Sequence, residues 1–308
     1  MRLVTYLSDE SSRLGAWIDP YVLDVQGATS HVLAGTAESE LVSNTCQSML
    51  SLLQAGDEAL DALLSFVNEV IRDSKKSSEI LVNLGVLIPI DNVQLLAPLP
   101  MPGKVICVAG NYPSPGINQE PDYPIIFLKP SSSVTGPGMP IWLSDMTQNV
   151  AIEVELSLVI NKTARHISQD DALSYVAGYI LANDIGDRDL EKRTSQWTSG
   201  KMFDSFTPMG PWLVTKDELP DPNSLQMTSL VNGIVVQKGS TSQMFFNGAE
   251  LVSILSDLTT LYPGDVILTG STKTMDGEPN PMIALSPGNT VTIKIEGLGE
   301  LTNPVMKE

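Results

Sequence analysis

The stretch Val150–Ile160, VAIEVELSLVI, decides how the rest of the chain is read. Its Ile152, Val154, Leu156, Leu158 and Ile160 fall at every second position, the period of a half-buried strand. Glu153 and Glu155 then share the opposite face, with Cα atoms roughly 6.5–7 Å apart on an extended chain. Two carboxylates that close repel each other unless water screens them or a positive charge lies between them. Two readings are open: the solvated face of an edge strand, or a site for a hard divalent cation, Mg2+, Mn2+ or Ca2+, which takes oxygen ligands.

Some thirty residues on, the apolar run Val176-Ala-Gly-Tyr-Ile-Leu-Ala182 ends in Asn183-Asp184. A buried strand running into an acidic residue places a ligand at a sheet edge. Asp184 would be a third carboxylate beside Glu153 and Glu155, leaving room on a bound cation for water or substrate oxygens.

Further segments carry a specific likeness: KPSSSVTGPGMPI (129–141), EVELSLVINKTAR (153–165), YVAGYILANDIGDRDL (175–190), QWTSGKMFDSFTPMGPWLVT (196–215), VNG (231–233), LYPGDVILTG (261–270) and GLGELTNPV (297–305). In this order and spacing the chain resembles the fumarylacetoacetate hydrolase family from about Lys104 to Val305, and its opening residues resemble that family's N-terminal segment. The resemblance implies an α+β, strand-rich fold: a mixed β-sandwich or β-roll catalytic domain behind a small N-terminal domain. It implies a divalent metal on Glu153, Glu155 and Asp184, the residues already marked by spacing. It also implies catalytic roles for Lys201 and Arg188 and substrate contacts from Tyr112, Ser271 and Glu191. Ser271 stands where the family usually has threonine, so a hydroxyl is kept; Glu191 stands where it usually has glutamine, which adds a negative charge. The segments Ser131–Ser133 and Gly136–Gly138 read equally as a structural turn or a substrate contact.

One departure bears on the reaction. Hydrolytic members commonly read Asn-Tyr-x-x-His followed by a glutamate, the pair that activates water. Here the loop reads Asn111-Tyr-Pro-Ser-Pro115-Gly-Ile-Asn118, and a proline side chain neither donates nor accepts a proton. Glu120 and Asp122 are the nearby carboxylates that could substitute. Metal-stabilised enolate chemistry on a small 2-oxo acid or 1,3-dicarbonyl is therefore expected, as cleavage or decarboxylation or as isomerisation. The alternatives are a non-hydrolytic tautomerase or cyclase and a catalytically silent metal-binding protein. A glycosidase using Glu153 and Glu155 fails on geometry, because neighbours on one strand face do not flank a scissile bond. A Ser-His-Asp set finds no support in His31 and His166.

The 308 residues allow two domains, divided near Leu95–Leu96 at the proline-rich stretch 91–103 into segments 1–95 and 96–308. Eighteen basic against thirty-six acidic residues give a net charge of −18, which repels nucleic acid and anionic membranes. Two cysteines offer no disulfide framework, and no apolar run reaches membrane-spanning length, so a soluble cytoplasmic enzyme is expected. The family resemblance adds a homodimer. Locally, the sequence predicts small hairpins over 1–28, a helical pattern over 42–53, a helix capped by Asp57 and a polar break at 73–78. It further predicts a strand over 105–109 and another over 125–128, a helix over 169–177 opened by Ser168, a hairpin at Asn232-Gly233 and a helix over 249–261.

Overall fold

The computed structural model describes the chain except residues 33–34, 75–77, 115–119, 276–277 and 282. The lid positions Pro115 and Asn118, and part of the polar break at 73–78, therefore lie outside the described residues.

The fold is mixed α and β and rich in strands. Arg2–Ser8, Ser11–Ile18 and Tyr21–Asp24 form an antiparallel meander, as the alternation over 1–28 predicts. Among the described residues these strands belong to an eleven-stranded sheet that continues through Leu213–Thr215, Val176–Asn183, Val154–Ile160, Val266–Leu268, Val105–Ala109 and Ile125–Lys129. Hydrogen bonds thus cross the boundary near residue 95, and so does one hydrophobic core: Leu3, Leu14, Leu63 and Phe66 pack in the same cluster as Val105, Ile180 and Val266. At the join, Gly178 sits opposite Val214–Thr215; a β-carbon there would lie 2.1 Å from the Val214 carbonyl oxygen, so only glycine lets the strands meet.

A five-stranded sheet, Ile234–Ser240, Gln226–Val231, Thr290–Ile295, Gly299–Lys307 and Ile141–Leu143, packs over the centre of the large one. Val154, Leu156, Leu158 and Ile160 point into the core shared with Met227, Ile293 and Leu301. Asn232 and Gly233, both at positive φ, turn Val231 back to pair with Ile234, the hairpin expected of an Asn-Gly pair.

Several local readings shift. Residues 42–53 hold parts of two helices, Ala37–Thr45 and Met49–Ala55, because Ser48 exchanges side-chain and backbone bonds with Ser51 and starts a new helix. The helix Asp57–Ser74 begins where expected, but the Asp57 carboxylate accepts from Asn161 and pairs with Lys162 of the distant segment. Ser168 caps its helix, which ends at Ala172 and passes into a 3-10 turn, Leu173–Tyr175. The second predicted long helix is Gly248–Leu258, capped by Asn247 and Glu250.

The decisive strand is also not continuous. Val150–Ala151 pairs with Gly186–Asp187, and Val154–Ile160 pairs with Val176–Asn183, with Ile152 and Glu153 between them outside any ladder. Side chains take up the amides there, Asn183 Oδ1 accepting from Glu153 at 3.0 Å and Gln237 Oε1 from Val154 at 3.1 Å, while the Glu153 carbonyl accepts from the Asp184 amide at 2.9 Å. Both faces are covered, since every residue of Val154–Ile160 is buried. The solvated-edge reading is thereby overturned.

Candidate active site

Glu153, Glu155 and Asp184 are buried and each offers an oxygen such that the three lie within 4.8 Å of one another. Strand pairing explains the meeting: Val154 lies opposite Asn183, so the residues flanking that pair converge. They form the floor of a cavity of about 210 Å3, whose wall also includes Arg188, Glu191, Lys201, Ser271, Lys273, Phe127 and Trp197.

Lys201 Nζ donates to Glu153 Oε2 at 2.7 Å, to Asp184 Oδ2 at 2.6 Å and to the Asp184 carbonyl at 3.0 Å. Burial favours the neutral amine, but Asp184 and Glu153 outweigh it and hold the Lys201 pKa above its ordinary value, so it stays an ammonium. Arg188 spans two carboxylates, with Nη2 on Glu153 Oε1 at 2.8 Å and Nη1 on Glu191 at 2.9 and 3.1 Å. Glu153 is thus ringed by cations. Burial opposes its charge, yet Arg188, Lys201 and Lys273 hold its carboxyl well below the usual range. Glu155 has no such ring: it accepts from the Gly270 amide at 2.7 Å. Burial and the neighbouring Asp184 and Glu153 push its carboxyl well above the usual range. Three converging carboxylate oxygens, one of them this short of positive charge, suit a hard divalent cation.

Glycines make this density feasible. A β-carbon on Gly186 would lie 2.1 Å from Glu191 Oε1 and 2.8 Å from the Lys201 stem. Arg188 opens a short helix, Arg188–Glu191, whose N-cap Asp187 accepts from the amides of Asp189 and Leu190 and, through its other oxygen, from those of Gln148 and Asn149.

Of the eight residues marked from the sequence, seven line this one cavity: Glu153, Glu155, Asp184, Lys201, Arg188, Glu191 and Ser271. Tyr112 does not. It is buried, and its hydroxyl lies 3.4 Å from Met227 Sδ, while Asn111 beside it bonds Phe246 and Thr269 and braces the turn that carries Gly270. The expected substrate contact from Tyr112 thus falls on a side chain packed against Met227 and away from the described cavity wall. Ser131 and Ser133 likewise bond Pro102, Pro130 and Thr207, which makes that segment a structural turn. Glu120 and Asp122 are exposed and do not line the cavity.

Two cations at the site were not singled out by sequence reasoning. Lys129 is fully buried and donates to Asp184 Oδ1 at 2.6 Å, the Phe206 carbonyl at 2.7 Å and the Ile185 carbonyl at 3.1 Å. Its sequence signals are a charge closing the apolar strand Ile125–Lys129 and its place at the head of KPSSSVTGPGMPI. Lys273, bonded to Glu153 Oε1, follows the Thr269-Gly-Ser turn and carries no periodic signal.

Comparison with known proteins agrees with this architecture. The family model described as Fumarylacetoacetate (FAA) hydrolase C-terminal matches residues 104–306. A human relative named mitochondrial oxaloacetate tautomerase is 43% identical over 225 residues, 71% of this chain and 72% of its own length. A fumarylacetoacetate hydrolase structure from Exiguobacterium antarcticum superposes with a TM-score of 0.78 at 30% identity, covering 100% of both chains. Maleylpyruvate hydrolase from Sphingobium, solved with manganese (II) and pyruvate, gives 0.73 at 28% identity, covering 100% of this chain and 99% of its own. The chain belongs to the fumarylacetoacetate hydrolase family. Its relatives include enzymes named as tautomerases, isomerases and hydrolases of small oxo acids.

Proposed function

We propose that this protein is a divalent-metal-dependent enzyme that moves a proton between the keto and enol forms of a 2-oxo acid or 1,3-dicarbonyl. The observation that carries the reading is the convergence of Glu153, Glu155 and Asp184 at the base of a cavity walled by Lys201, Arg188 and Lys273. Mg2+ or Mn2+ held by the three carboxylates would supply Lewis-acid stabilisation of developing enolate charge. Lys201, placed at the cavity wall by its bonds to Asp184 and Glu153, donates hydrogen bonds to an oxyanion. Arg188, fixed by Glu153 and Glu191, orients the substrate carboxylate. Lys273 stands at the cavity rim with its side chain 37% exposed, so it can meet both the substrate and solvent.

Tautomerisation is favoured over hydrolysis because the family's water-activating histidine is replaced by Pro115. It also matches the activity named for the human relative. A homodimer is proposed on the family resemblance, and light scattering at about twice 33.2 kDa tests it. The function itself is tested by loading the protein with Mn2+ and following deuterium exchange at carbon 3 of oxaloacetate, together with ultraviolet decay of its enol. Exchange and enol decay at the uncatalysed rate on fully loaded protein would refute it.

A further inference from the structure

The small acidic cavity adjoins a second one across two shared side chains. This larger space, about 450 Å3, shares Arg188 and Lys273 with the first, and its remaining wall is chiefly Ala151, Ile152, Val236, Pro281 and Ile283. Arg188 and Lys273 are its only charged residues among those described, so its charge is confined to the shared end. Beyond them the polar contacts are neutral: Ser114, Asn149, Gln237 and Asn280. A ligand carboxylate placed deep in this cavity would lose its hydration and meet no cation. An apolar group placed there would lose nothing. The volume lies within the roughly 300–1,000 Å3 typical of small-molecule sites, whereas the acidic cavity alone lies below it.

Charge balance points the same way. Glu153, Glu155, Asp184 and Glu191 face Lys129, Lys201, Arg188 and Lys273, four carboxylates against four cations. A divalent ion added to that set leaves two positive charges. The enolate of a 2-oxo monocarboxylic acid carries two negative charges, and the enolate of a dicarboxylic one carries three.

We infer that the substrate is a 2-oxo monocarboxylic acid with an extended apolar substituent, its oxo-acid head in the acidic cavity and its tail in the larger one. The inference rests on the function proposed above and names its substrate class. Lys273 and Arg188 mark the junction where head becomes tail. In enolisation carbon 3, next to the oxo carbon, gives its proton to solvent water and the oxo oxygen takes one up; ketonisation reverses both transfers, so no oxidant or reductant is required.

The test is a homologous series from 2-oxobutanoate to 2-oxooctanoate, with phenylpyruvate and oxaloacetate, on Mn2+-loaded protein. Carbon-3 deuterium exchange gives kcat/KM, and calorimetry gives affinity independently of turnover. The expected result is a rise of roughly two- to fourfold per methylene, following the value of buried CH2 groups, with the longer acids surpassing oxaloacetate. Ala151→Leu, which fills the cavity from the strand Val150–Ala151, should lower the ratio of kcat/KM for 2-oxooctanoate over 2-oxobutanoate at least tenfold. Ile283→Asp, at a half-exposed wall position less exposed to folding failure, should do the same. Turnover of oxaloacetate with a flat or falling chain-length series would overturn the inference and leave the proposed function standing. Affinity that rises with chain length in the absence of any exchange would overturn the proposed function and keep the cavity assignment.

Discussion

Lys129→Met isolates a residue that contacts one proposed metal ligand, Asp184, and lies outside the cavity wall. Methionine nearly conserves the stem volume, so the change removes a charge and its three hydrogen bonds without opening a large hole. The Phe206 carbonyl keeps the Ile185 amide at 3.0 Å, and Asp184 keeps Lys201 on its other oxygen. The Ile185 carbonyl loses its lysine donor, and one side of a buried ion pair is left uncompensated. Breaking a buried pair costs about 3–5 kcal/mol and an orphaned carbonyl about 1–3 kcal/mol. Because Lys201 remains, the lower end applies to both, and the expected loss is about 4 kcal/mol. For a chain of this size that is a fall in Tm of about 6 °C. Freed from Lys129, Asp184 also loses its fixed orientation, and outer partners of this kind are worth roughly 10–100-fold in metal affinity. Differential scanning calorimetry of the metal-free protein and titration with Mn2+ measure the two effects separately. A Tm within about 2 °C of the parent together with unchanged Mn2+ affinity would show that Lys129 contributes packing alone.

The remaining predictions concern the site and its supports. Glu153→Ala and Asp184→Ala should each abolish Mn2+ binding in calorimetry; unchanged affinity in both would remove the metal assignment. Lys201→Met should lose turnover while still binding Mn2+, because its role is toward the substrate oxyanion, and full activity would dismiss that role. Asp187 has a carboxyl held below its ordinary pKa: burial opposes this, but the amides of Leu190, Asn149, Gln148 and Asp189 prevail. Its stabilising contribution is therefore present above the unfolded pKa, near 3.9, and is lost as pH falls through the folded value. The stability gap between the parent and Asp187→Asn in urea should narrow below about pH 4, and a gap independent of pH would contradict the capping account. Acylpyruvate hydrolysis should be slower than carbon-3 exchange on the same protein by about 10²–10⁴-fold, the usual worth of general-base assistance; comparable rates would mean that another group activates water.

Much of this arrangement is legible in the chain because its signals are local. Alternation over 150–160 and the apolar run before Asp184 mark the strands and their carboxylates, and Asn232-Gly233 marks its hairpin by the φ values those residues tolerate. What escapes is set by partners distant in sequence. The break at Ile152-Glu153 depends on Asn183 and Gln237, thirty and eighty-three residues away. Tyr112 sits in a motif, yet its hydroxyl is taken up by Met227, and no pattern around Lys129 or Lys273 announces the carboxylates they meet. The boundary near 95 follows from prolines that do turn the chain, but strand pairing resumes across it.

That pairing has a consequence for how the protein is made. The meander formed by residues 2–24 joins the rest of the large sheet through Leu213–Thr215, three residues that also pair with Gly178 and Tyr179. Gln94–Leu96 pairs with Thr5–Leu7 on this edge of Arg2–Ser8, but on a ribosome adding about 5–20 residues per second Arg2 and Leu3 wait roughly 10–40 s for Leu213 and Val214. Through that interval this end of the strand keeps its amides and carbonyls unpaired, a short edge open to pairing with another nascent chain. Loop closure across more than two hundred residues must precede any reward from the contact, which places the join late in folding. Synthesis slowed before residue 213 therefore lengthens exposure of that short edge, while Thr5–Leu7 are already covered.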